Sequence, residues 1–82
     1  MKLPVIRHLH KNHSAEELEH TIAVLETFTE HRSVTEAEMD MVGELLTNLC
    51  GAVEVHALRE SGMEEREAAN AFAQKVLGSI DR

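Results

Sequence analysis

The sequence predicts an all-α domain, and three observations carry that prediction. Trp and Tyr are absent, and Phe28 and Phe72 are the only aromatics, so the core must be built from Leu, Val, Ile, Met and Ala. That composition suits helix-on-helix packing, because strands lean on aromatic and β-branched residues. Two Ser/Thr-x-x-Glu boxes each stand just ahead of an apolar run, a signature of helix N-termini. The apolar residues that follow recur at steps of three and four, the spacing that places them on one helical stripe.

The first main helix is expected over about 14–31. Ser14-Ala15-Glu16-Glu17 forms its capping box, and Leu18, Ile22, Leu25 and Phe28 form its stripe. The second is expected over 36–60, opened by Thr35-Glu36-Ala37-Glu38. It carries two adjacent stripes: Met39, Val42, Leu46, Leu49 and Val53, beside Met41, Leu45, Ala52 and Val55. So wide an apolar arc must be covered on more than one side. Ser61-Gly62 ends it, with Gly62 suited to the left-handed position after the last turn. The third is expected over 64–80. Glu64, Glu65 and Glu67 sit where the helix dipole favours negative charge, and Ala69, Phe72, Val76 and Ile80 line one face, with Ala73 and Leu77 beside them. Residues 1–13 form a short helix with Pro4 in its first turn, or an extended arm. Residues 14–82 form the bundle domain.

Eighty-two residues make one domain. A monomer of this size buries only about 60–65% of its unfolded surface, which leaves a thin stability margin. Cys50 is the only cysteine, so a disulfide cannot supply the missing margin. A single thiol and the lack of a signal-like apolar run predict a reduced, cytoplasmic setting. No segment approaches the roughly 20 apolar residues of a membrane span. The formal charge is −7 and unevenly spread: residues 1–13 carry Lys2, Arg7 and Lys11 and no acid, whereas the remainder carries five basic and fifteen acidic residues. That acidic body disfavours nucleic acid and anionic membranes as partners. The basic segment is either solvated or docked on an acidic face of its own or a neighbouring subunit.

Gly43-Glu44-Leu45-Leu46-Thr47-Asn48-Leu49, followed by Asn70-Ala71-Phe72-Ala73 and Ser79-Ile80, resembles the YejL-like family of small bacterial proteins over roughly residues 14–80. The chain as a whole, from Met1-Lys2-Leu3-Pro4-Val5-Ile6 to Val76-Leu77-Gly78-Ser79-Ile80-Asp81, is also similar to a bacterial family of unknown function of about this length. The YejL resemblance implies an intertwined homodimer of three-helix subunits. The chain departs from that pattern by several extra residues between Asn48 and Asn70.

The expected dimer interface comprises Val42, Gly43, Leu46, Thr47, Leu49, Gly51, Val53, Phe72 and Val76. Gly43, Thr47 and Gly51 lie four apart, and a mid-helix glycine costs roughly 1 kcal/mol against alanine. The strip is read as a flat path for a second helix across the dimer axis, and Gly51→Leu is then expected to break the dimer. Asn48 and Asn70 interrupt apolar surroundings and are candidates for fixing register. No catalytic constellation is expected. Weak metal candidates are His8, His10 and His13, whose imidazoles suit zinc, copper or nickel, and Glu17 with His20, which match one half of a di-iron bundle motif. Cys50, with His56 six residues on, is expected to be a buried, inert thiol. The function expected is a non-enzymatic homodimeric module that binds another protein, without a cofactor. The alternative is a small metal- or thiol-dependent accessory protein using His8, His10 and His13 or Cys50.

Overall fold

A computed structural model describes residues 1–80, with side chains described through Val76. Four helices follow in order: α1 (Leu3–Asn12), α2 (Ala15–Thr29), α3 (Glu36–Glu60) and α4 (Glu65–Ile80). There is no strand among the described residues. The N-terminal segment is therefore helical, with Pro4 in its first turn, where its missing N–H costs nothing.

Local chemistry sets the boundaries. Ser14 Oγ accepts from the Glu17 amide at 3.1 Å, while Glu17 Oε1 accepts from the Ser14 amide at 2.9 Å. Thr35 and Glu38 repeat the exchange at 3.2 and 2.9 Å. Each box satisfies two amides that a helix start otherwise leaves open. These bonds hold the Glu17 and Glu38 carboxyls below the ordinary carboxylate range; the largest cause is the backbone amide of Ser14 in one case and of Thr35 in the other. At the far end of α3, Gly62 takes φ +109°. Its amide donates to Arg59 O, and the Met63 amide reaches back to Leu58 O at 3.3 Å. This is the glycine-terminated helix end in which two stranded carbonyls find donors. Met63 and Leu58 both pack against the core, which locks the turn.

The long helix α3 packs against each of the other three. Helix α1 runs parallel to it, as successive contacts show: the Lys2 amide donates to Asn48 Oδ1, Ile6 lies over Gly51, and His10 stacks on His56. Helix α4 also packs on α3, placing Phe72 against Gly51 and Lys75 on Glu54. The core is Ile6, Leu18, Leu49, Ala52, Val55 and Ala68, with Leu9, Ile22, Leu25 and Phe72 packed around it. Alanines at 52, 68 and 69 are buried, so backbones approach closely there.

Three expectations need correction. Phe28 is 45% exposed and does not complete the α2 stripe; Thr29, one position further, is half-buried instead. The second stripe of α3 divides: Ala52 and Val55 are fully buried, but Met41 and Leu45 stay 58% and 46% exposed. Helix α1 begins beside Asn48 and so does not reach the first turns of α3. Cys50 is exposed, on a side of α3 that the described side chains leave uncovered. Leu77 and Ile80 lie outside the described side chains.

Candidate functional site

The uncovered side of α3 is the first candidate. Gly43 lies three and four residues before Leu46 and Thr47, and Cys50 four and three after them, so the four share a face. Gly43, Thr47 and Cys50 are exposed and Leu46 is half-buried. Thr47 Oγ1 donates to Gly43 O at 2.9 Å, which folds the hydroxyl back onto its own helix. A Cβ at Gly43 would meet nothing within 4 Å, so none of the described residues requires glycine there. Beside this face, α3 and α4 form a shallow groove of about 460 Å³ lined by Leu46, Thr47, Cys50, Gly51, Phe72 and Lys75. The Lys75–Glu54 ion pair, 3.1 Å long, bounds it on one side.

The expected interface residues thus separate. Gly43, Leu46 and Thr47 are accessible, and Val53, Phe72 and Val76 are half-buried. Val42 and Leu49 are buried within the subunit, only 6% and 8% exposed. Gly51 does admit a close approach, but from its own chain. A Cβ there would fall 2.7 Å from Ile6 Cδ1 and 3.0 Å from two carbons of the Phe72 ring. The glycine at 51 is a requirement of the subunit, and the one at 43 is not.

Asn48 also acts within the chain. Its Oδ1 accepts the Lys2 amide at 2.8 Å and its Nδ2 donates to Glu44 O at 3.0 Å. One amide side chain therefore pins the first turn of α1 to α3. Asn48→Leu removes that acceptor and is expected to lower stability by about 1–2 kcal/mol, read as a lower urea midpoint. An unchanged midpoint would show that Lys2 is held by other means. Asn70 is exposed.

The histidines of residues 1–13 diverge because this segment is helical. His8 is exposed, with Asn12 Nδ2 donating to its carbonyl oxygen. His13 is exposed beyond the helix end, 3.7 Å from Glu17 Oε1. His10 is buried, and its ring lies 4.3 Å from that of His56, centroid to centroid. His20 is exposed on α2, and Glu17 is committed to its capping box. Among the described residues no three His, Cys, Asp or Glu side chains gather in a way that could hold a metal ion. Cys50 and His56 are likewise apart: Cys50 borders the groove, whereas His56 Nε2 donates to His13 O at 2.7 Å.

Helix α1 meets α4 through a bidentate ion pair. Arg7 Nε and Nη2 donate to the two Glu65 oxygens at 2.8 and 3.0 Å. The basic segment therefore docks on an acid of its own chain, through Arg7, while Lys2 and Lys11 remain exposed. The bond to Arg7 holds the Glu65 carboxyl below the ordinary carboxylate range, and the same bond raises the Arg7 guanidinium further. The burial of His10 and its contact with His56 had no sequence signal beyond the apolar positions around them.

No described helix is long and apolar enough to cross a membrane. Neither the curated proteins nor the solved structures contain a significant match to the chain, and the YejL-like resemblance is not supported by a family match. What does match, over residues 1–81, is the model of a family of unknown function, DUF6952, and the chain belongs to that family.

Proposed function

We propose that this chain is a non-catalytic helical module of the cytoplasm, paired with a second copy of itself through the uncovered face of α3, that serves to bind another protein. One observation carries the pairing. The subunit exposes 5894 Å² of accessible surface. A compact monomer of 9.2 kDa exposes about 4,900 Å². The surplus, about 1,000 Å², is close to the roughly 800 Å² that each partner contributes to a standard interface. The molecule is correspondingly flat, 43 × 31 × 17 Å. The face offered by Gly43, Leu46, Thr47 and Cys50 carries small or apolar side chains, which lets a second helix approach closely. Met41, Leu45, Val24 and Phe28, all exposed, supply further apolar surface for a partner protein.

Gly43→Leu separates this reading from a monomer. Within one subunit the new side chain enters open space, and the helix gains roughly 0.8 kcal/mol of propensity. Across a pairing of α3 faces it would wedge the two helices apart. Sedimentation across a dilution series should show the wild type dimeric and Gly43→Leu monomeric, with the variant's helical content unchanged. The exposed Cys50 gives an independent readout: a short bis-maleimide should link two copies of the wild type and fail to link the variant. A monomeric wild type, or a Gly43→Leu dimer as tight as the parent, would sink the proposal.

A further inference from the structure

The junction of α1 with α3 and α4 contains a titratable pair that the pairing of subunits does not use. His10 is 9% exposed, the one buried polar or charged residue among those described. Its Nδ1 is buried and has no hydrogen-bond partner. Its ring stacks obliquely on His56, 4.3 Å between centroids and 51° between planes. His56 Nε2 donates to His13 O, an oxygen that can only accept, so Nε2 carries a hydrogen whatever the charge of the ring. That bond ties the residue just past the end of α1 to α3.

We infer that the His10–His56 pair is a pH-sensitive latch for the N-terminal helix: protonation at this junction releases α1 from α3 and uncovers the apolar floor around Gly51 and Ala52. An imidazolium at His10 must carry a hydrogen on Nδ1, and there that hydrogen meets no acceptor. A buried donor without a partner is costly, and more so when it is charged. The surrounding charges oppose it as well. From α3 come His56 and Arg59, and from α1 itself Lys11; the single carboxylate acting on the ring is Glu65 of α4, already engaged by Arg7 Nε and Nη2. Helix α2 contributes Glu17, which is held by Ser14 and lies beside His13. Burial first, and then His56 and Arg59, accordingly push the His10 imidazole below its ordinary value.

The direction of the effect follows. A histidine that binds its proton less readily when folded contributes stability that is present above its unfolded value, 6.5, and is lost as pH falls through that value toward the folded one. The carboxylates depressed in the folded state, Glu17, Glu38 and Glu65, lose their contributions only below an unfolded value of 4.5. The window between belongs to His10. Ile6, Leu9, the Arg7–Glu65 pair and the Asn48 bond also hold α1, and all of them act on this helix, so opening is local to it.

Amide hydrogen exchange on the full chain tests this. On going from about pH 7.5 to about pH 5.5, protection of the α1 amides, corrected for intrinsic rates, should fall by up to about tenfold, the ceiling set by an unfolded value of 6.5 that lies one pH unit above the final pH. The amides of α2 and the first half of α3 should keep theirs. His10→Phe, which keeps a ring and removes the proton site, should hold α1 protection constant over the range. His56→Gln, which retains a donor for His13 O, should lose less than the wild type. Constant α1 protection in the wild type would overturn the latch. So would an equal loss in His10→Phe, or, should that variant not fold, an equal loss in His56→Gln. None of these readouts depends on the dimer, whose failure would be seen by sedimentation alone.

Discussion

Ile6→Ala is expected to lower the free energy of unfolding by about 2–5 kcal/mol, the range for truncating a buried isoleucine or leucine. Ile6 has no exposed surface, and with Val55 it is one of the two largest side chains wholly inside. It is also the deepest anchor of α1, a helix of ten residues. Helices shorter than about 12–15 residues are marginal by themselves, so α1 exists because it is packed. The site is poorly placed to heal. Its neighbour on α3 is Gly51, which has no side chain to move into the gap. A domain of this length has of the order of 4–12 kcal/mol in total, so the loss is a large fraction of it. Urea unfolding should show a much lower midpoint. A smaller slope as well would mean that α1 detaches before the remainder unfolds. Val5→Ala, one residue away but 39% exposed, should stay within about 0.5 kcal/mol. A comparably small change for Ile6→Ala would show that α1 is not held by its core contact.

Gly51→Leu is expected to cost about 1–3 kcal/mol through overpacking, and the subunit itself is what it damages. The first atom of any side chain at 51 already stands 2.7 Å from Ile6 Cδ1 and 3.0 Å from the Phe72 ring. Leucine adds three more carbons to a space that holds none. Gly51→Ala is the instructive control. It gains about 1 kcal/mol of helix propensity and must displace the end of a buried isoleucine and the edge of a half-buried ring, so the two effects nearly cancel. Ile6→Val deletes the one atom in closest conflict. Gly51→Ala with Ile6→Val should therefore be more stable than the sum of the single changes, an interaction that a double-mutant cycle measures. Additivity between the two sites would mean that the contact is not there. The same reasoning removes Gly51→Leu as a probe of dimerisation and puts Gly43→Leu in its place.

What could be read in the sequence and what could not divide along a physical line. The starts of α2 and α3 were legible because Ser14 with Glu17, and Thr35 with Glu38, close hydrogen bonds within three residues. Gly62 was legible for the same reason: a left-handed residue after a helix is a local requirement. The all-helical class followed from apolar spacing and from the want of aromatics. The choice between helix and arm for residues 1–13 was not legible, since so short a helix is decided by what it packs on. Nor was the fate of the two stripes of α3. Periodicity marks both as apolar, but where the other helices lie on α3 determines that Ala52 and Val55 are covered and Met41 and Leu45 are not. Gly43 and Gly51 look alike in sequence, eight residues apart on one helix. One faces open space and the other a buried isoleucine and a phenylalanine ring, because the helices that meet at Gly51 come from opposite ends of the chain. His10 differs from His8 and His13 for the same reason: the helical turn aims it at α3, where His56 is waiting. The helices and their ends follow from local sequence, through bonds that close within a turn or two. Which faces are buried, which glycine is needed and which histidine is desolvated come from the packing of the helices, because each depends on contacts between residues far apart in the chain.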